Sequence, residues 1–321
     1  MNLDQFKSEK NKTYLVTGAA GFIGAAVAKA LLRDGHQVVT VDNLSTGFEQ
    51  HLPEGIIFIK GDCQDPKVID ELHTYDFEAI YHIAGQSSGE ISFENPVYDL
   101  QTNAQSTLQL LELAKKINCK KFIYASTMSV YGDTDKLPVD ENGTPSPKSF
   151  YGVGKLASEH YLKIYNTEFD ISTAALRLFN VYGPGQNLTN MKQGMVSIFL
   201  AQALEQNQIH VKGSAERFRD FIYIDDVVRA FLKTESVLNQ NGFHLFDVCS
   251  GVKTTVGELV NAITNQFDAP ITTKFEGSTP GDQFGIYGNS QKMHNILGDW
   301  EKVKFEEGIK MFVDSVRKRN I

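Results

Sequence analysis

The stretch Thr17-Gly18-Ala19-Ala20-Gly21-Phe22-Ile23-Gly24 decides the fold. It follows a short apolar run, Tyr14–Thr17, and opens an apolar-periodic one, Phe22–Leu32, that stops at Gly35, so it reads as the turn from a strand into a helix. The glycines, spaced GxxGxxG, have separate steric tasks. Gly18 permits the tight turn, Gly21 lets the backbone approach a pyrophosphate, and Gly24 lets the helix pack closely on the strand. The first N–H groups of the helix, at Phe22 and Ile23, together with its dipole, are suited to hold phosphates. Glycine-rich turns are common, but here the next strand, Gln37–Val41, closes on Asp42-Asn43. A carboxylate there accepts both ribose hydroxyls of an adenosine and repels a 2′-phosphate. Turn and carboxylate together predict a dinucleotide site for NAD rather than NADP.

Further strands follow at Ile56–Lys60, Ala79–Ile83, Lys121–Ala125 and Ile171–Leu176. Helical stretches separate most of them. Asn95-Pro96 is a good cap and first-turn pair for a helix through about Lys116, and another helix runs from Phe150 to about Tyr165. Alternating strands and helices predict an α/β fold, a doubly wound parallel-sheet Rossmann domain covered on both faces. Beyond Asn180 the rhythm breaks at Gly183, Pro184 and Gly185, and later pieces include a strand at Phe221–Ile224, a helix capped by Asp225, a strand at Phe243–Val248 and a helix near Val256–Phe267. We expect residues 12–180, with returning segments near 219–250, to form the NAD-binding domain. Residues 181–218 and 251–321 then form a smaller mixed α/β lobe over the carboxyl edge of the sheet, where ligands bind in such folds.

Composition narrows the function. At 321 residues and 41% hydrophobic the chain can bury a large core, and a net charge of -8 excludes a general nucleic-acid binder. No apolar run approaches membrane-spanning length, and the polar start MNLDQFKSEKNK lacks a secretory apolar core, which points to a cytoplasmic protein. Cys63, Cys119 and Cys249 are unpaired by spacing and read as reduced thiols. The eight histidines show no ligand spacing, so no metal is expected, and His82 reads as a packed strand residue.

The chemistry is carried by Tyr151-Gly152-Val153-Gly154-Lys155, which sets a phenol and an ammonium one helical turn apart. A tyrosine with a pKa near ~10 is a poor base at neutral pH. A lysine beside it, with the positive nicotinamide of NAD, stabilises the phenolate, so Tyr151 can take a proton from a substrate hydroxyl as hydride leaves. The fifth strand ends in Ser126-Thr127-Met128-Ser129, whose hydroxyls fall on the same edge. Thr127 is the best partner for the reacting hydroxyl, with Ser126 supporting the loop or touching substrate. Asp62 in Gly61-Asp62-Cys63 either binds the adenine amino group, with Cys63 beside it, or is an ordinary loop carboxylate, and Ala84-Gly85 lets the cofactor lie against the backbone.

These segments, with VDNLSTG (Val41–Gly47), STMSVYG (Ser126–Gly132), RLFNVYGPGQ (Arg177–Gln186), RDFIYIDDV (Arg219–Val227) and PGD (Pro280–Asp282), resemble the NAD-dependent nucleotide-sugar epimerase and dehydratase family of the extended short-chain dehydrogenase/reductase superfamily, the UDP-glucose 4-epimerases above all. The resemblance runs from Tyr14 to about Asn289. It implies that tightly held NAD oxidises a UDP-hexose, usually at C4, to a transient keto sugar and returns the hydride to its other face. It further implies Tyr151 as base, Lys155 as its electrostatic partner, Thr127 as third member, Asn180 on the nucleotide diphosphate, Arg219 on a phosphate and Asp282 on the nucleotide ribose. For Arg219 a structural ion pair is the alternative. By the same resemblance, helices near Val97–Lys116 and Phe150–Tyr165 pair across a homodimer.

Two departures bear on the reaction. The family's dehydratases carry an Asp-Glu pair directly after the threonine, and its decarboxylases a glutamate at the second position; here Met128 and Ser129 stand there. Both chemistries are disfavoured and epimerisation is left. Thr279 stands where many members have an arginine, and Ile286 at the position that limits bulk on the sugar. Gly85–Glu90 is either part of the sugar pocket or a solvated loop. The competing enzyme is a nucleotide-sugar reductase, which needs exchangeable cofactor. The competing non-enzyme is an NAD sensor, a class that commonly loses the tyrosine or lysine kept here.

Overall fold

The computed structural model describes residues 11–191, 194–277 and 284–319. The predicted alternation produces a seven-stranded sheet from β1 (Thr13–Thr17), β2 (Gln37–Asp42), β3 (Ile57–Lys60), β4 (Ala79–His82), β5 (Lys121–Thr127), β6 (Ser172–Leu178) and β11 (Phe243–Val248). Its order is β3-β2-β1-β4-β5-β6-β11, with every pair parallel. The order reverses between β1 and β4, and a crevice opens there at the carboxyl ends of the strands. β5 and β6 run two residues further than the apolar pattern predicted, because Ser126 and Thr127 pair with Arg177 and Leu178. That pairing fixes Thr127 as the last strand residue on the ligand edge.

Helices cover both faces. α1 (Phe22–Arg33), α8 (Ile224–Val237) and α10 (Gln291–Leu297) bury Val27, Leu31, Phe231 and Met293 against one side, with Trp300 sealing that layer. α2 (Pro66–Leu72), α5 (Ser106–Lys116) and α6 (Phe150–Phe169) bury Leu72, Leu110, Leu111 and Leu162 against the other. Each such side chain contributes about 1.5–3 kcal/mol by leaving water. α6 starts where Ser149 Oγ accepts from Gly152 N at 3.1 Å, a cap that fixes which face carries Tyr151 and Lys155.

The long helix predicted from Pro96 is present with an interruption. Asn95 caps α4 (Pro96–Leu100) by accepting from Tyr98 N, and a π-helical turn, Gln101–Gln105, joins it to α5. A wider turn of this kind re-aims side chains, here Thr102 and Asn103.

A second, smaller core contains Phe199, Leu200, Ile209, Phe221, Leu259, Ile263, Phe312 and Val313. It is built by α7 (Met195–Gln206), α9 (Val256–Thr264) and α11 (Phe305–Arg319) around short strand pairs. One expectation, the cap of α8, is corrected among these later segments. Of the segments near 219–250, β11 joins the main sheet, but β10 (Phe221–Tyr223) pairs with β7 (Asn180–Tyr182) outside it. Asp225 is not the cap of α8: the helix starts at Ile224 after an extended Tyr223, and Asp225 is an exposed first-turn residue favoured by the helix dipole. Asp226 is the buried one, accepting from the N–H groups of Lys302 and Val303. Among the described residues no helix is long and apolar enough to cross a membrane.

Candidate active site

The crevice is a cavity of about 460 Å³ running from the glycine turn, past the ends of β4 and β5, to the start of α7. Gly18, Gly21, Phe22, Ile23, Gly24, Asp42, Asn43, Asp62, Cys63, Ala84, Ser126, Thr127, Tyr151, Lys155 and Asn180 all line it. The sequence scattered these over more than half the chain; the sheet edge brings them to one cleft.

The turn is shaped to admit a ligand against bare backbone. Gly18 has φ +78°, and a Cβ there would stand 3.0 Å from the Ala84 backbone, while one on Gly24 would collide with the Gly18 carbonyl. The cap residue of α1, Gly21, offers no side-chain acceptor and the first turn carries no acidic residue. The first N–H groups of α1 are thus left without side-chain acceptors at a positive dipole end, the donor set a pyrophosphate needs. Asp42 braces the turn, its carboxylate accepting from Ala20 N at 3.0 Å and Leu44 N at 2.8 Å. Asp62 accepts from Asn43 Nδ2 at 2.6 Å, tying together the two loops that flank the adenosine end. Thr46 and Gly47 line the same end. They lie within a motif quoted above, but nothing in their residue types singled them out.

At the other end, Thr127 Oγ1 accepts from Ser129 N and donates to Ser129 Oγ, both at 3.2 Å, and the hydroxyl acts on the Tyr151 phenol to lower its pKa. Lys155 Nζ donates to Ala125 O at 2.9 Å and lies 5.8 Å from the Tyr151 ring centre and 4.6 Å from that of Tyr124. Burial dominates both titrations. It pushes the Tyr151 phenol up to about 12, against the Thr127 hydroxyl, and the Lys155 ammonium down to about 7, against Asp99 and Glu159. The lowering expected of Tyr151 took the lysine and the positive nicotinamide together; in the protein alone desolvation of the phenol outweighs it.

Other predicted residues take different places. Ser126 lines the cleft, but its hydroxyl turns away to Glu159. Asn180 donates to Asp220 O at 2.9 Å and approaches Met128 Sδ at 3.7 Å. Arg219 is buried and donates to the carbonyls of Phe218 and Phe284 rather than lining the cleft. Ile286 is also off the cleft, packed with Phe179, Val130 and Cys249. Asp282 and Thr279 lie outside the described residues. Gln86 is no solvated loop residue. Its side chain donates to Asp99 Oδ1 at 2.8 Å and to Ser88 O at 2.7 Å, and Gln86, Ser87 and Gly89 line the cleft.

Several lining residues were not foreseen: Gln64, Tyr98 and Thr102, and on the lobe side Asn187, Asn190 and Met195. The lobe-side groups sit in an irregular segment whose path no periodicity announces. His82 meets its expectation, buried with Nδ1 at 2.9 Å from Thr17 Oγ1 and Nε2 at 3.3 Å from Ser106 Oγ. Among the described residues no group of three or more His, Cys, Asp or Glu side chains is placed to hold a metal ion.

Comparison with known proteins agrees with this geometry. Residues 14–241 match the family model described as the NAD dependent epimerase/dehydratase family. A putative UDP-glucose 4-epimerase of Methanocaldococcus jannaschii is 33% identical over 95% of this chain and 99% of its own length. The crystal structure of a UDP-glucose 4-epimerase with UDP-glucose from Thermotoga maritima superposes with a TM-score of 0.90 at 34% identity, covering 96% of this chain and 100% of that one. The likeness extends to other reactions: UDP-glucuronic acid decarboxylase 1 of Xenopus tropicalis is 29% identical over 98% of this chain and 74% of its own.

Proposed function

The chain belongs to the NAD-dependent epimerase/dehydratase family of enzymes, and on that premise we propose that it epimerises a nucleotide-activated hexose, a UDP-sugar, at C4. The observation that carries this reading is the pair of residues after Thr127. Met128 and Ser129 both line the cleft beside Tyr151, and neither a thioether nor a serine hydroxyl serves as the added acid or base that elimination requires. What is left is a base, a hydroxyl partner and a cation, sufficient for removing and returning one proton.

Gly18, Gly21, Phe22, Ile23, Gly24, Asp42, Asn43, Asp62, Cys63 and Ala84 would hold the dinucleotide along the sheet edge. When bound, NAD supplies a reversible hydride acceptor. Tyr151 takes the proton of the sugar hydroxyl and gives it back, and Thr127 holds that hydroxyl. Lys155, deep in the same pocket, supplies positive charge against the phenolate. Burial of the whole set excludes water, which strengthens these interactions. Following the family resemblance, Asn180 is assigned to the nucleotide diphosphate, Asp282 to its ribose, and Arg219 to a phosphate that it meets only by turning from the Phe218 and Phe284 carbonyls. Residues 12–180 with 219–250 are taken as the cofactor half, and 181–218 with 251–321 as the substrate lobe. We also place the protein in the cytoplasm, in keeping with three buried free thiols. It is expected to act as a homodimer through an apolar face of α4 and α6.

The test is to incubate purified protein, without added cofactor, with UDP-glucose, UDP-galactose and their N-acetyl and uronic-acid counterparts, and to separate the products. Interconversion of one C4 pair is the expected result. A pentose product from a uronate, a dehydrated sugar, or turnover only with added NADPH would each replace this reading by another.

A further inference from the structure

An ammonium taken out of water needs a counter-charge, and Lys155 is only 4% exposed. The titratable groups that face it are His82 on β4, Tyr124 on β5, Tyr151 and Glu159 on α6, and Asp99 on α4. His82 is buried between two hydroxyls. Glu159 is already committed, with Arg177 on both carboxylate oxygens and Ser126 on one of them.

Asp99 stands apart from these. It is 1% exposed, its Oδ1 accepts from Gln86 Nε2 at 2.8 Å and Asn103 Nδ2 at 3.1 Å, and its Oδ2 is buried with no hydrogen-bond partner. The backbone lets it approach α6 closely. A Cβ on Gly154, the residue before Lys155, would lie 3.4 Å from Asp99 Oδ2, and one on Gly85 would overlap Asn103 Oδ1 while lying 3.5 Å from Lys155 Nζ. The π-helical turn that follows α4 keeps Asn103 on the same side as Asp99.

We propose that Asp99 is the counter-charge of Lys155, a positioning residue that keeps the ammonium charged beside Tyr151 from across the α4–α6 contact. Burial raises the Asp99 carboxyl; the Gln86 amide, the Lys155 charge and the Asn103 amide oppose it, and the oxygen without an amide donor is the one left for the lysine. Among the groups that act on Lys155, Asp99 comes directly after burial and opposes it, ahead of Glu159. The same carboxylate repels the Tyr151 phenolate, but there it ranks behind both burial and Thr127. The role assigned to it is to hold positive charge on Lys155, 5.8 Å from the Tyr151 ring centre, where that charge opposes the direct repulsion. This deepens the function proposed above and rests on it.

The test uses the enzyme with its cofactor and the isosteric variant Asp99→Asn. The tyrosinate absorbance of Tyr151, isolated by subtracting the Tyr151→Phe protein, should move to higher pH by about one unit, and kcat at neutral pH should fall about tenfold with KM unchanged. In a Lys155→Met background the same substitution should have no further effect on kcat. Gln86→Met, which removes one donor from Asp99, should give a smaller shift in the same direction and serves if Asp99→Asn fails to fold. An unmoved tyrosinate titration, or an equal loss in the absence of Lys155, overturns the pairing. The titration needs no sugar, so a wild type inactive on every nucleotide sugar would sink the proposed function and leave this result readable.

Discussion

Arg177 and Glu159 face each other beneath the cleft as a buried bidentate pair, Nε to Oε1 at 2.9 Å and Nη2 to Oε2 at 2.7 Å. The pair links β6 to α6, the helix that carries Tyr151 and Lys155, and Ser126 closes it from β5. The Arg177 guanidinium also stacks 4.8 Å from the ring centre of Tyr131, whose hydroxyl donates to Asp247. Removing one member strands the other charge in the core. Glu159→Gln or Arg177→Met should therefore destabilise the fold by about 3–5 kcal/mol. The double change Glu159→Leu with Arg177→Met should cost less than either single one. Urea unfolding measures all three, and single variants within about 1 kcal/mol of wild type would mean that water reaches the pair.

Tyr151→Phe removes the base without changing the ring that packs under Thr127. Turnover should fall by at least about a hundredfold, in the range seen when a general base is removed. Bound NAD and the unfolding midpoint should stay near wild type, since the ring stays in place and the glycine turn that would hold the pyrophosphate is untouched. Activity that survived this change would remove Tyr151 from the chemistry.

The doubly wound order was legible because local signals agreed with the global one. Gly18 and Gly24 are required by close backbone approach, and Asn95 and Pro96 start a helix in any context. Tyr151 and Lys155 were legible because a helical turn puts them on one face. Asp99 was not, because its value lies in a contact between α4 and α6 that depends on glycines at 85 and 154, far apart in the chain. Glu159 had a signal that went unused: it sits one turn beyond Lys155, on the same face. Arg219 and Ile286 were placed by motif alone, and motif order does not say which way a side chain turns.

His82 gives a pH dependence whose sign follows from its hydrogen bonds. Ser106 donates its hydroxyl to Thr102 O at 2.6 Å, so its oxygen accepts from Nε2–H, while Thr17 donates to Nδ1. The imidazole is thereby held neutral, and burial pushes it down to about 3 from an ordinary 6.5. Below pH ~6.5 the unfolded chain binds a proton that the folded one refuses, so stability falls by up to about 1.4 kcal/mol per pH unit from this group until pH ~3. Asp220, raised to about 6 by burial, works the other way between its ordinary value and that pH. The difference between wild type and His82→Asn isolates the histidine. The variant should lose less stability than wild type between pH 6.5 and 4.5, read from urea midpoints. Parallel curves would show that His82 is protonated in the folded protein.

The last prediction concerns the surface beside the cleft. Phe93, Val97, Leu100, Phe150 and Val153 are all exposed, Val97 by 63% and Phe93 by 61%, on neighbouring faces of α3 (Gly89–Glu94), α4 and α6. Phe93 and Phe150 meet edge to face with ring centres 5.6 Å apart, so the apolar groups of α3 and α6 are continuous. A patch of this kind is costly in water and favours a self-complementary contact, the commonest route to a two-fold dimer. Light scattering should give twice the chain mass at micromolar concentration. Val97→Glu with Val153→Glu places like charges on both sides of a two-fold contact and should give monomers. Since α6 also carries Tyr151 and Lys155, the monomer should lose activity faster on warming than the wild type. A wild type that scatters as a single chain at every concentration would assign the patch to another partner, and a variant that stays dimeric would place the contact elsewhere.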